Sequence, residues 1–405
     1  MTSDATKSPG FWFLISITGS GIFIIQLVVF MVGPLLVSIA NDLNVEVAVA
    51  GQLNTITAFV WLFMAFVAGY FSDRHGRRLI LLIGLSCATA GLLGTALAPN
   101  FPAAMFFRAV TGLGGLIPPT CGALIADFVP TSKRGKGLGW MTAAGGMSVV
   151  VGIPIMTLIA EAASWRWSFG LAAAGTLLVL LLVLVKLPNP ERVGVASGGL
   201  LSRFKPLARL SLIYEISFIN VCQRIAFSAF LTYFAAYLIV TKGLSTGETA
   251  LPMAIAGVGT VVSPAVIGYL SDTKHRLLIM PIGLTIGGIT GLIAFQADVP
   301  LVVLVALGFV FTTTIFSAFP VFILLLSLIG GRRLRGTVMG IPPFSNQGGA
   351  LLGPALGGLA LSLGGYGAIG TTCVVVSALG VIVATLRVRE RRVQEAIDSV
   401  ATMET

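Results

Sequence analysis

Two arginines stand inside long apolar runs, Arg108 in MFFRAVTGLGG and Arg224 in NVCQRIAFSAF. An arginine at the centre of a hydrophobic helix costs about 2.5–3.5 kcal/mol on insertion scales, so each must face protein or water and needs a partner. The run around Arg224 is the more polar, interrupted by Glu215, Ser217, Asn220, Gln223, Ser228 and Thr232. Ser217, Asn220, Arg224 and Ser228 recur at intervals of three and four and share one helical face. A mid-span arginine flanked by amides is a ligand-binding pattern, with Arg224 as the leading contact and Asn220 and Gln223 beside it. The competing reading is a buried tether to Glu215 or to a carbonyl, although nine residues separate Glu215 from Arg224. Arg108 likewise has two readings: a part in ligand or proton coupling, or a structural tie to carbonyls or to polar groups such as Gln26. Asn54, Thr57, Thr312 to Thr314 and Ser317 could add polar contacts. Phe230, Tyr233, Phe234 and Tyr237 would line an aromatic wall or face lipid.

The acids that remain as proton sites are Asp127 and Glu215, with Glu161 behind them, all near the ends of apolar runs. Neither a His/Glu or Cys/His cluster nor a phosphate-binding glycine loop nor a buried carboxylate pair is present, so an enzyme, a metal site and a cofactor are not expected. The cysteines, Cys87, Cys121, Cys222 and Cys373, fall inside apolar runs without pairing or metal spacing and read as packing residues. The histidines, His75 and His275, lie in polar loops.

The elements that carry these residues follow from composition. With 56% hydrophobic and 10% charged residues and a mean hydropathy of +0.99, the chain is unlike a soluble domain, where about a quarter of residues are charged. Apolar runs of roughly 20 residues cross a bilayer as helices, and the absence of alternation argues against a barrel. About twelve such spans are expected, near 11 to 39, 48 to 71, 79 to 98, 101 to 128, 136 to 162 and 166 to 187, then 210 to 240, 247 to 271, 276 to 296, 299 to 329, 336 to 364 and 366 to 387. The sequence therefore divides into a six-helix bundle over 1 to 187, a linker over 188 to 209, a second six-helix bundle over 210 to 387 and a tail over 388 to 405. Glycine, at 49 residues, belongs to the helices as a close-packing residue. Lys and Arg collect in every second loop, the linker and the tail, which places both termini in the cytoplasm of a multi-pass inner-membrane protein. The net charge of +10 follows this topology rather than a nucleic-acid surface. The tail, RVRERRVQEAIDSVATMET, reads as solvated or surface-lying, its basic start near anionic lipid.

An internal repeat joins the halves. GYFSDRHGRRLIL from Gly69 returns as GYLSDTKHRLLIM from Gly268, an offset of 268 − 69 = 199 residues. Asp73 answers Asp272 and Arg77 answers Arg276, while Arg74, Gly76 and Arg78 are replaced by Thr273, His275 and Leu277. A second echo, Arg-Gly-x-x-x-Gly, pairs Arg134 with Arg335 and Gly139 with Gly340. Such a period is too long for a solenoid, whose units run roughly 20 to 50 residues, and fits two homologous membrane halves.

Gly69, Asp73, Arg74, Gly76, Arg77 and Arg78, in Gly-x-x-x-Asp-Arg-x-Gly-Arg-Arg order, resemble the signature loop of the major facilitator superfamily. The resemblance implies an all-α membrane fold of twelve helices in two pseudo-symmetric bundles, working by alternating access. It makes this loop a latch, with Asp73 facing the start of span eleven and Arg77 reaching Asp127 at the end of span four, and with Asp272 and Arg276 as the weaker second copy. Arg108, in RAVTGLGG, matches the family's Arg-x-x-x-Gly-x-Gly pattern. The glycine-proline signature that drug exporters carry in span five is loose here, at Gly152 and Pro154, and full in span eleven, at Gly340, Gly349, Gly353, Pro354, Gly357 and Gly358. SWRWSF, from Ser164 to Phe169, is similar to the twelve-helix drug and sugar efflux branch. What this implies is a monomeric secondary transporter exporting a small organic compound, driven by protons. The alternative, uptake or exchange of an organic anion, is motivated by Arg108 and Arg224.

Overall fold

A chain that crosses lipid has to satisfy its backbone polar groups within each segment, and the described residues do so as helices, with no strand among them. The structure, a computed structural model, describes residues 10–188, 210–270, 276–330, 338 and 341–402. The expected linker, apart from Pro188, lies outside this set, as do Asp272 and Gly340.

The first half contains the spans Phe11–Phe30, Val47–His75, Arg77–Ala96, Phe101–Phe128, Lys136–Ala162 and Trp165–Lys186. The second contains Ser211–Lys242, Gly247–Ile267, Arg276–Gln296, Leu301–Gly330 and the 47-residue helix Ile341–Arg387. That last helix is two spans, because Gly364 and Gly365 leave helical geometry at its middle and Gly365 takes φ +66°. Only glycine enters that region without a side-chain clash, so the chain reverses there and the spans total twelve. Phe63, Leu178, Val302 and Leu363 are among many large apolar side chains left exposed, a surface suited to lipid and not to water.

Several spans are interrupted, for physical reasons. Span one stops at Met31 and resumes as Val32–Asp42, and span ten breaks at Ser317. Span four narrows to a 3-10 turn over Leu113–Leu116. Span five widens to a π turn over Ser148–Gly152, just before Pro154. Proline has no N–H to give the carbonyl four residues back and its ring crowds that carbonyl, so the helix opens by one residue to pass it. The helix of span five also begins at Thr131, earlier than the expected 136, because the basic segment after Pro130 winds into its first turns.

Three glycines seat span eleven on span seven. An added methyl at Gly349 would fall 2.3 Å from Arg224 Cβ, at Gly353 1.9 Å from Ser228 Oγ, and at Gly357 2.7 Å from the Tyr233 ring. Gly358, one residue on, turns toward the other half, 2.9 Å from the Ala48 carbonyl. Pro354 sits inside this helix, and its carbonyl accepts the Tyr233 hydroxyl at 2.9 Å.

The tail, expected to be solvated or surface-lying, packs one face on the second half. Glu390–Thr402 is a helix, and Val393, Ala396 and Val400, at helical spacing, are buried. Arg392 clasps Glu215 through two nitrogens at 2.6 and 3.1 Å and also donates to Ser211. Arg276 clasps Glu390 at 2.9 and 3.1 Å. The tail thus lies across the starts of spans seven and nine, held by Arg392 and Glu390, while Arg387, Arg389 and Arg391 remain exposed. This end of the molecule, which also carries Arg74 to Arg78, is hereafter the basic end.

Gly353→Ala is expected to lower stability by about 1–3 kcal/mol, because the new methyl meets Ser228 Oγ at the packed face of span seven. Thermal unfolding in detergent measures this, with Gly348→Ala, which meets nothing within 4 Å, as the control. In the tail, Arg392→Gln and Glu215→Gln should each lower the midpoint, while the double variant loses less than the sum of the two.

Candidate functional site

The hydrogen bonds between the two halves lie toward the end opposite the basic one, while apolar packing continues toward the basic side, where Phe66 of span two meets Phe344 of span eleven with ring centroids 6.2 Å apart. Ser38 and Thr246 meet at 3.3 Å, and Glu161 accepts the Gly247 N–H at 3.1 Å. Gly33 lies against span seven, where a methyl would reach the Leu231 carbonyl at 2.7 Å. Asn54 donates to Thr232 at 3.5 Å. Among the described residues, these are all the hydrogen bonds that cross between halves, and at the basic end every ion pair stays within its own half.

Arg224 lies on the basic side of these contacts, about two helical turns before Thr232. Its side chain is half-buried. Phe227 on the same helix and Phe316 and Phe319 on either side of the span-ten break stand 5.5, 5.5 and 5.8 Å from its guanidinium carbon. Phe227 also touches Phe30 of the first half, so this face of span seven looks across the molecule. The Arg224 Nε donates to Asn346 Oδ1 at 3.1 Å, and among the described residues its Nη groups donate to nothing. Asn220 is buried and donates to Ser345 and to Asn346, each at 2.9 Å. Gln223 is fully buried, with both amide atoms unpaired among the described residues, as are Ser217 Oγ and Asn220 Oδ1. A buried unpaired amide is costly, so these atoms are sites for water or a ligand.

Arg108 presents the opposite case. It has no exposure, and its nitrogens donate to the carbonyls of Val28 and Leu53 and to Asn54 Oδ1, at 3.3, 3.5 and 3.3 Å. Its partners are carbonyls and Asn54; Gln26, half-buried, makes no bond to it. The arginine holds spans one, two and four together. Through Asn54 it stands one contact from Thr232 of the other half.

At the latch, Arg77 pairs with Asp127 and also with Asp73, the latter at 3.0 Å, and donates to Ser72. Arg78 donates to the Leu184 carbonyl at 2.6 Å and Arg74 to Tyr70. Gly76, at φ +97°, ends the helix of span two in a conformation that a side chain would strain. The close approach expected at Gly69 is not seen, since no described atom lies within 4 Å of a methyl there. The start of span eleven, which Asp73 was expected to face, lies mostly outside the described residues. Glu215, expected as a proton site, is engaged by Arg392, and Arg276 is engaged by Glu390. Gly152 packs on Leu27 of span one.

The fold, the broken spans and the latch together have the form of a known family, and residues 18–342 match its profile, the Major Facilitator Superfamily. The chain belongs to the major facilitator superfamily. It is similar to the uncharacterised MFS-type transporter YwfA of Bacillus subtilis, 26% identical over 365 residues, 87% of this chain and 86% of that one. It is also similar to the quinolone resistance protein NorA of Staphylococcus aureus, 27% identical over 229 residues, 56% of this chain and 55% of that one. In structure it resembles a D-xylose-proton symporter, with TM-score 0.73, 20% identity and 91% and 97% of the two chains covered. A bacterial homologue of the lysosomal transporter Spinster, inward-facing and occupied, aligns with TM-score 0.76, 15% identity and 96% of each chain. These structures share the twelve-helix fold, and the family to which the chain belongs makes it a transporter.

Sequence reasoning found Arg224 and Asn220 but missed Asn346, Phe316 and Phe319. Asn346 follows Pro342 and Pro343 in a stretch read for its glycines, and its lone amide carried no spacing signal. Phe316 and Phe319 carry no polar or spacing signal that separates them from the other apolar residues of span ten. Within SWRWSF, Trp165 and Arg166 tie span six to span one, both donating to Asp42.

The contrast between the arginines predicts opposite costs. Arg108→Leu, which strands buried carbonyls and Asn54, should lower stability by about 2–4 kcal/mol. Arg224→Gln should change it by no more than about 1 kcal/mol. Chemical unfolding in detergent compares the two.

Proposed function

We propose that this transporter exports a small organic compound from the cytoplasm by alternating access, driven by protons, as a monomer in the cytoplasmic membrane. The observation that carries the reading is the asymmetry of contacts. The halves are joined by hydrogen bonds at the end opposite the basic loops, while Arg224 and its amides lie on the basic side. By the excess of Lys and Arg in alternate loops, the basic end is cytoplasmic, so the Arg224 cluster is reached from inside the cell. Transport then requires the Ser38–Thr246 and Glu161–Gly247 contacts to part and the basic ends to meet, a rocking of the two halves about the cluster. Similarity to the quinolone resistance protein supports export.

Proton coupling is assigned to the basic end. Asp127 and Glu215 each hold an arginine, and a proton taken by either carboxylate removes the charge that holds it. Asp127 is the stronger candidate, because Arg77 is shared between it and Asp73, so its release changes the latch. Uptake or exchange of an organic anion is the second reading, favoured by the free Nη edge of Arg224.

Two measurements check this function. Protein in proteoliposomes should move substrate in response to an imposed pH gradient, and Asp127→Asn should uncouple flux from that gradient; flux indifferent to the gradient in the parent would remove proton coupling. Cysteines introduced by Ser38→Cys and Thr246→Cys lie close enough to bridge. Oxidation should stop flux and reduction restore it, whereas undiminished flux under oxidation would contradict a gate at this end.

A further inference from the structure

We infer that the substrate of this site is a small organic monocarboxylate, whose charged end docks on the Nη edge of Arg224 and on the amide nitrogen of Asn346. The inference rests on the preceding reading that cargo binds at the Arg224 cluster, and it adds the chemical class.

Asn346 is oriented by two donors. Its Oδ1 accepts two hydrogen bonds, from Arg224 Nε at 3.1 Å and from Asn220 Nδ2 at 2.9 Å. Two donors on one atom fix which way the amide points, since its nitrogen in that place would set donor against donor. The Asn346 NH2 is therefore turned outward, and it has no acceptor among the described residues. Arg224 is fixed by the same bond at Nε and by the three phenyl rings around it, which leaves Nη1 and Nη2 without acceptors among the described residues. Donors alone, on two adjacent side chains already held in place, define a site for an acceptor group.

Charge narrows the class. Arg224 remains protonated, because guanidinium holds its proton in proteins. It has no carboxylate partner among the described residues, and the acids nearest in argument are committed elsewhere: Glu215 to Arg392, Asp127 to Arg77 and Glu161 to the Gly247 N–H. A cation enclosed by phenyl rings without a counter-ion is poorly compensated, and an anionic ligand supplies what the protein omits. Arg108 shows that this chain can give every nitrogen of a buried guanidinium an acceptor when its role is structural. One arginine offers one charge, and its planar fork matches the two oxygens of a carboxylate, so a monoanion fits better than a dianionic phosphate. Phe227, Phe316 and Phe319 then provide apolar walls for the body that carries the carboxylate.

The test is thermal unfolding of the full purified chain with a series of monocarboxylates from acetate to 2-naphthoate, each paired with its neutral amide, and with naphthylmethylamine and inorganic phosphate as charge controls. At least one carboxylate is expected to raise the midpoint above its amide. Arg224→Gln should weaken that ligand by about tenfold or more, the loss of a charged hydrogen bond being worth that much. Arg224→Lys should retain part of the effect, and Asn346→Asp should abolish it and turn the preference toward the amine. Carboxylates no better than their amides, a carboxylate effect that survives Arg224→Gln, or stabilisation by phosphate above every carboxylate would each overturn the inference. Flux separates the two levels: gradient-driven transport of a neutral compound with no carboxylate preference leaves export standing and removes this class. Carboxylate-selective binding without flux of any compound does the reverse.

Discussion

A guanidinium inside a bilayer must be answered by protein, and the two halves of this transporter are arranged around two different answers. At Arg108 each nitrogen has an acceptor: two backbone carbonyls and an asparagine oxygen surround a side chain with no exposure. The energetic consequence is rigidity, since moving span one, two or four alone would leave a buried charge unpaired. At Arg224 the answer is partial, with one amide oxygen and three aromatic faces. The first arginine binds its bundle together and the second leaves capacity unused, which is the physical difference between scaffold and site.

The movement asked of the molecule is set by where close packing is irreversible and where it is not. Spans seven and eleven meet through Gly349, Gly353 and Gly357 so tightly that they must travel as one body. The tail helix reinforces that body, because its ion pairs reach Glu215 and Arg276 in the same half and nothing described in the other. The contacts between halves are of another kind: a few hydrogen bonds, the abutment of Gly33, Gly257 and Gly358 on the facing helices, and two phenylalanine pairs, Phe30 with Phe227 and Phe66 with Phe344. No ion pair crosses this boundary among the described residues, so the halves can separate and meet again without stranding charge. A pathway from Arg108 through Asn54 to Thr232 crosses this boundary, so the fixed arginine is in contact with the half that carries the other one.

Much of this was legible in the amino-acid order. Period and composition determined the helices, the pairing of halves and the break between spans eleven and twelve at Gly364 and Gly365, because lipid leaves a backbone few alternatives. The cost of a mid-span charge singled out Arg108 and Arg224 before any coordinates. Motif spacing related Arg77 to Asp127 through the family that it resembles.

What the order of residues could not decide was which arginine is satisfied and what completes each pair. Asn346 stands 122 residues from Arg224, and Glu390 stands 114 residues from Arg276. Neither separation has a period or motif to announce it, since such contacts arise only when helices distant in sequence pack side by side. The tail shows the same limit: its charges predicted exposure, whereas Val393, Ala396 and Val400 found an apolar surface that exists only once the second bundle has formed. The sequence by itself determined a twelve-span transporter fold with two costly arginines inside it. Only tertiary packing decided that one is closed off by carbonyls and the other held open, because compensation of charge depends on distance in space.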